Sequence, residues 1–297
     1  MARLSARRRA EARSGWLLVA PSLVGVGFFL LVPVLLVILL SFMKWNLVSD
    51  PTWVGLDNYR SLFGSDRFWS SLSVTAIFTL IAIPFSLAIG LLIALALNRR
   101  LPGSGIIQLL YVLPWVCAPL TLGIVWSWML SPREGFINRV LGTNLQFMSD
   151  PDLALYTVAF VYVWQNVGYI SLFFLAGLQN IPTSVVEAAK LDGAGSIRMI
   201  LKIILPLLRP TTFFVLVTSM ISSIQVFDLV YGLTGGTPGY PAGSTNVIAA
   251  NIYQNANSTP PIMGLASASA VVLLVIIVAI TLVQQRYFAR RTTYDMT

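Results

Sequence analysis

Glu187, Ala188, Ala189, Asp192 and Gly193 stand in a polar segment whose spacing shapes a bend rather than a reacting centre. The segment reads Pro182-Thr-Ser-Val-Val-Glu187-Ala188-Ala189-Lys-Leu-Asp192-Gly193-Ala-Gly-Ser196 and runs on to Ile203, Leu205 and Pro206. Pro182 suits the position just before a helix, Thr183 or Ser184 can cap it, and Ala188 and Ala189 favour it until Gly193 permits a sharp break. Ser196 can cap a second helix leading to Pro206. Two short helices meeting at a glycine elbow are one expectation. The other is an amphipathic helix lying among lipid headgroups, since the segment carries Lys190, Arg198 and Lys202.

Other reactive chemistry is scarce. The chain has no histidine and a single cysteine, Cys117, in an apolar stretch. Imidazole acid–base work, HExxH metal sites and an internal disulfide are thereby excluded, and a structural zinc site finds no ligand set. No GxxxxGK[ST] phosphate loop occurs, so ATP binding by this chain is not expected. An intramembrane enzyme would have one cysteine and no paired acids to work with.

Polar stripes offer binding instead. Tyr162, Gln165, Asn166 and Tyr169 follow helical spacing and share a face, as do Thr211, Thr218, Ser222 and Gln225, with Asp228 and Tyr231 just beyond. Hydroxyl, amide and aromatic groups of this kind suit a sugar. They equally suit hydrogen bonding between neighbouring membrane helices, and Asp228 suits an ordinary helix end. Gly235 and Gly236, with Pro238, fit a turn; a phosphate cradle there lacks an accompanying helix N-terminus or lysine.

The elements that carry these residues must sit in a bilayer. Of the 297 residues 57% are hydrophobic and 10% charged, and the mean hydropathy is +0.80. The net charge of +8 does not point to nucleic acid, because the basic residues lie between apolar runs instead of forming a surface stripe beside a soluble core. Six stretches are long enough to cross as helices: 16 to 41, 70 to 97, 106 to 130, 153 to 178, 207 to 228 and 262 to 284. At about 1.5 Å per residue from Leu153, Gln165 and Asn166 fall near mid-membrane. The first stretch follows Arg7, Arg8 and Arg9, but its apolar run is too long for a signal-peptide core. Trp16, Trp45, Trp53 and Trp69 flank spans as interfacial anchors.

Of the 19 basic residues, Lys44, Arg60, Arg67, Arg133 and Arg139 fall in the segments that are outside when the N-terminus is inside. Arg3, Arg7, Arg8, Arg9, Arg13, Arg99, Arg100, Lys190, Arg198, Lys202, Arg209, Arg286, Arg290 and Arg291 fall inside. Both termini are therefore expected in the cytoplasm. The chain divides into a basic N-terminus (1–15), a membrane domain (16–286) containing the polar segment 179–206, and a tail (287–297). No inverted repeat is visible. An ion-coupled secondary transporter, the principal competing reading, usually needs an intramembrane titrating group, and only Asp228 comes near one.

Glu187-Ala188-Ala189, Gly193 four residues after Ala189, then Ile203 and Leu205-Pro206 resemble the EAA loop of the permease subunits of bacterial ABC importers, at its place between the fourth and fifth of six spans. Gly55-Leu56-Asp57-Asn58-Tyr59, Arg100 through Pro114, and Phe227-Asp228-Leu-Val-Tyr231-Gly-Leu-Thr234-Gly235-Gly236 extend the resemblance to the MalF-type branch that imports carbohydrates. Tyr111 through Pro119 and Asn166 through Leu178 resemble actinobacterial permeases of amino-sugar uptake. The large periplasmic insertion of the maltose system has no counterpart.

The resemblance implies an all-α, six-span MetI-like fold in the bacterial cell membrane. It implies a loop that docks in a cleft of a partner ATPase, which holds ATP and magnesium, with no cofactor on this chain. The implied partners are a second similar permease, two ATPases and an extracytoplasmic solute-binding lipoprotein that delivers the sugar, with membrane lipid around them. The loop at Gly235-Gly236 is implied to face the cavity below that binding protein.

Overall fold

The computed structural model describes residues 6–99 and 103–289; Arg3, Arg100, Arg290 and Arg291 lie outside them. Of the described residues, those up to Gly64 together with Gln254–Val272 form one compact unit, and Ser65–Tyr253 with those from Leu273 to Ala289 form a second.

In the first unit, α1 (Ala6–Val26) and α2 (Val32–Leu40) are joined by a π-helical turn, Gly27–Leu31. Together Gly15–Leu40 is apolar enough to cross a membrane, and none of its apolar window is buried within the chain. Such a helix is stable only where its surroundings are themselves apolar. Beyond it the structure adds an element the sequence reading lacks, a two-residue hairpin pairing β1 (Met43–Lys44) with β2 (Thr52–Trp53). The short helix α3 (Asp57–Phe63) ties it down. Asn58 Nδ2 donates to the carbonyls of Ser41 and Met43, both at 2.9 Å, the hydroxyls of Tyr59 and Ser41 lie 2.7 Å apart, and Phe42 stacks on Trp53 at 5.6 Å. The Trp45 carbonyl accepts from the Met263 amide at 3.0 Å.

The second unit is built around α8 (Pro151–Gln179), which packs along α4 (Asp66–Leu97). The apolar window of α8 is 61% buried, against 28% for α4. Among lipid tails, burial of apolar surface gives helices no advantage, so close packing must hold them. Phe78 and Ala82 of α4 meet Val158, Val161 and Tyr162 of α8 in one cluster; Ala94 meets Ile170 and Phe174 in another. Ser223 Oγ donates to Thr79 Oγ1 at 3.2 Å, linking α12 (Arg209–Ile224) to α4.

Two expected spans are broken. The stretch 106 to 130 is α5 (Ser104–Val116) and α6 (Pro119–Met129), bent by 99°. Pro119 confines Ala118 to extended backbone, ψ 127°, and the helix stops there. After the short helix α7 (Phe136–Leu141) and α8 come α9 (Thr183–Leu191), α10 (Ser196–Met199), a π turn (Ile200–Ile204) and α11 (Leu205–Leu207). The segment Ser196–Leu207 meets α12 at 72°, where Leu208 has ψ near 0° and Pro210 follows. Four helices can cross singly, and six crossings result when each bent pair counts as one.

The fifth expected span, 207 to 228, breaks after Gln225, and the segment from 229 on, expected to be loop, is partly helical. Phe227 (φ −141°, ψ −60°) breaks the path, and α13 (Asp228–Leu233) buries Leu229, Val230 and Leu233. Next comes α14 (Ile248–Ala256), and α15 (Met263–Ala289) completes the described chain.

Candidate functional site

The two polar stripes converge, and the breaks explain why. Gly168 on α8 lets α5 approach so closely that a Cβ there would overlap the Tyr111 carbonyl; Gly123 on α6 and Gly232 on α13 meet where a Cβ on either would fall within 3.0 Å of the other's Cα. Both halves of the bent pair are thus pinned, α5 to α8 and α6 to α13. Trp115, in the last turn of α5, is held over the middle of α8.

Trp115, Tyr162, Gln165 and Asn166 from one side, and Ser222, Gln225 and Asp228 from the other, wall a cavity of about 240 Å³. Pro119, Val226, Phe227 and Leu229 complete it. A second cavity of about 130 Å³ shares Trp115, Asn166 and Ser222, and adds Tyr169 and Thr218. The Trp115 and Tyr169 rings stack at 4.3 Å, 12° from parallel. Tyr162 stands edge-on to Phe78 at 5.2 Å. Asn166 Nδ2 donates to the Tyr162 carbonyl at 2.9 Å, which leaves its oxygen as an acceptor, and Thr218 Oγ1 donates to the Phe214 carbonyl at 2.9 Å. Amides, hydroxyls and flat aromatic faces around an open space can hold a polyhydroxylated solute through hydrogen bonds and ring stacking.

Not every stripe residue reaches this space. A Cβ on Gly177 would come 2.5 Å from Thr211 Oγ1, so Thr211 serves the contact of α12 with α8. Tyr231 lies outside both cavity walls and packs on Phe227 at 5.4 Å and Tyr253 at 5.5 Å. The hydrogen bond from Tyr231, and then its charge, hold the Tyr253 phenol above the ordinary tyrosine range. Trp115 is the residue common to both walls that sequence reasoning missed as a site. The signal was Pro119 two residues past Cys117, which ends α5 beside the cavity.

The polar segment folds as the elbow. Pro182 is the N-cap of α9, Thr183 begins it without capping, and Gly195, not Ser196, precedes α10. Gly193 has φ +75°, its amide donates to the Lys190 carbonyl and the Ala194 amide to the Ala189 carbonyl, both at 3.0 Å. This paired closure of a helix end needs left-handed backbone at the glycine. The same closure ends α13. There the Gly235 amide reaches the Gly232 carbonyl at 3.3 Å and that of Gly236 the Tyr231 carbonyl at 2.9 Å, so those amides are occupied and make a turn, not a phosphate cradle. In the elbow, Glu187, Ala188 and Asp192 are exposed, Ala189 is buried, and Ile203, Leu205 and Pro206 are half-buried. Two large apolar side chains flank the turn in the open, Leu191 at 89% and Ile197 at 74% exposure.

Residues 86–294 match the family described as binding-protein-dependent transport system inner membrane component. The chain belongs to that family: it is a multi-pass inner-membrane permease subunit of the ABC importer class, not an enzyme. It is 33% identical, over 94% of its length and 96% of the relative's, to the sn-glycerol-3-phosphate transport system permease protein UgpA of Agrobacterium fabrum. It is 31% identical, over 92% of both chains, to the trehalose/maltose transport system permease protein MalF of Thermococcus litoralis. A chain of the bacterial alginate ABC transporter, solved in complex with alginate pentasaccharide-bound periplasmic protein, superposes with a TM-score of 0.82 at 22% identity, covering 95% of this chain and 96% of that one. That likeness carries the fold.

Proposed function

We propose that this chain forms half of the translocation path of an importer that takes up a carbohydrate or a closely related polyol from an extracytoplasmic binding protein. The observation that supports this most is the cavity wall, in which Trp115, Gln165, Asn166, Ser222 and Gln225 present one aromatic face and several neutral hydrogen-bonding groups. Relatives named for trehalose and maltose and for starch degradation products agree with such a cargo, and amino sugars fall within the same class.

The elbow couples this path to ATP. It follows directly on α8, and Gln165 lies 14 residues before Gln179, about 20 Å along the helix at 1.5 Å per residue. Glu187 offers a charge to a basic group of a partner ATPase, and the exposed Leu191 and Ile197 offer an apolar anchor to its cleft. Two such ATPases hold ATP and magnesium, and a second permease supplies the other wall. Closure of the ATPases moves the elbow and switches the bundle between two discrete packings. Both termini and the elbow are cytoplasmic in this account. Uptake of radiolabelled maltose-type and amino-sugar probes into vesicles containing the assembled importer tests it. Uptake that follows a proton gradient and ignores ATP contradicts it.

A further inference from the structure

Relatives of this chain include one named for a phosphorylated glycerol and one named for neutral disaccharides, so family membership leaves the charge of the solute open. The cavity wall speaks to it. Among the described residues, Asp228 is the only charged side chain in the wall of either cavity. Among the described residues no ion pair or hydrogen bond engages its carboxylate. The other polar groups there, Gln165, Asn166, Ser222 and Gln225, are neutral dipoles.

The backbone that carries the carboxylate is also fixed in place. Asp228 opens α13 directly after the break at Phe227, and the two residues that follow it, Leu229 at 1% and Val230 at 0% exposure, are packed into the core cluster. Gly232 of the same helix abuts the backbone of α6, where a Cβ would come 2.5 Å from the Leu120 carbonyl. The helix therefore cannot turn to carry the charge elsewhere without repacking. Charge of one sign on a cleft with apolar walls focuses the local potential and raises the concentration of oppositely charged species.

We infer that Asp228 sets the charge class of the solute: this half of the path admits neutral and cationic solutes and disfavours anionic ones such as phosphorylated, sulfonated or uronic sugars. The inference rests on the reading of the cavity as the path. It concerns the potential inside this chain's own wall, so a local probe tests it without knowledge of the cargo.

Single thiols serve as that probe. Ser222→Cys and Asn166→Cys, each in a Cys117→Ala chain assembled with its partners in membrane vesicles, give two independent reporters in the wall shared by both cavities. Their reaction rates with a cationic, a neutral and an anionic methanethiosulfonate, each divided by the rate of a free thiol in solution, give the cation-to-anion preference. With Asp228 present that preference is expected to be about tenfold or more, equivalent to about 1.4 kcal/mol, and to shrink as salt is raised. Asp228→Asn brings it close to one, and Asp228→Glu retains it. Labelling with the same preference for Asp228 and Asp228→Asn overturns the charge inference and leaves the path reading intact, Asp228 then being a helix-end residue only. Reporters that no reagent reaches, neutral included, in vesicles that transport overturn both.

Discussion

The Trp115 ring lies 4.3 Å from that of Tyr169 and nearly parallel to it, so the last turn of one broken helix is laid against the middle of α8, the most buried of the four long apolar helices. The stack makes a flat surface beside the polar wall of the cavity. It depends on α5 ending where it does.

Loss of that surface should be felt in transport. Stacked aromatic pairs contribute about 0.5–1.5 kcal/mol beyond simple burial. Trp115→Ala is expected to raise the KM for uptake by roughly threefold to tenfold, with Trp115→Phe close to the parent. Initial-rate uptake at graded solute concentrations checks it; an unchanged KM with Trp115→Ala places the ring outside the path.

The approach of α5 to α8 gives a packing prediction with a built-in control. Gly168→Ala forces a methyl into the Tyr111 backbone, and overpacking of this sort costs about 1–3 kcal/mol. Gly105, on the same α5, has open space around it, and Gly105→Ala should be neutral or stabilising by up to about 1 kcal/mol. Thermal unfolding of the two variants in detergent should differ in sign.

Much of this was legible in the sequence, and the parts that were not share a cause. Hydropathy located the four helices that can cross singly and the two bent pairs, because the bilayer demands apolar length. It could not show that Pro119 breaks a helix while Pro84 and Pro114 sit inside theirs, since neighbouring helices decide whether the backbone groups freed by a proline find partners. For the same reason Trp115 read as one more apolar residue. The elbow was visible because Gly193 answers a local backbone need, whereas the caps at Thr183 and Ser196 were misplaced by one residue. The helices α13 and α14 escaped notice because their apolar faces are satisfied by partners distant in sequence, on α4, α6 and α8.

One of those distant ties can be cut singly. Thr75 Oγ1 accepts from the Ile248 amide at 2.8 Å and donates to the Ser71 carbonyl at 2.8 Å, at 2% exposure. Thr75→Val leaves the Ile248 amide buried without a partner, a loss of about 1–3 kcal/mol, and Thr75→Ser restores it. Hydrogen exchange should show α14 opening faster in Thr75→Val alone.

The orientation of the chain rests on its basic residues. A reporter active only outside the membrane and fused after Arg291 should stay silent, whereas one inserted after Gly142 should be active. The reverse pattern would invert the assignment of the elbow to the cytoplasm.

The elbow is the central claim, and Gly193 is the residue at which it is most directly tested. Its φ is +75° and a Cβ would meet nothing within 4 Å, so a substitution acts through backbone conformation alone, at about 1–2 kcal/mol for an ordinary residue. Gly193→Asn should be tolerated and Gly193→Val should not. The decisive measurement is ATP hydrolysis by the importer reconstituted in vesicles, with and without solute-loaded binding protein. The account expects that addition of loaded binding protein no longer stimulates hydrolysis in a Glu187→Lys, Gly193→Leu double variant, while the chain remains in the membrane and the binding protein still binds solute. Normal stimulation together with normal uptake in that variant would contradict it.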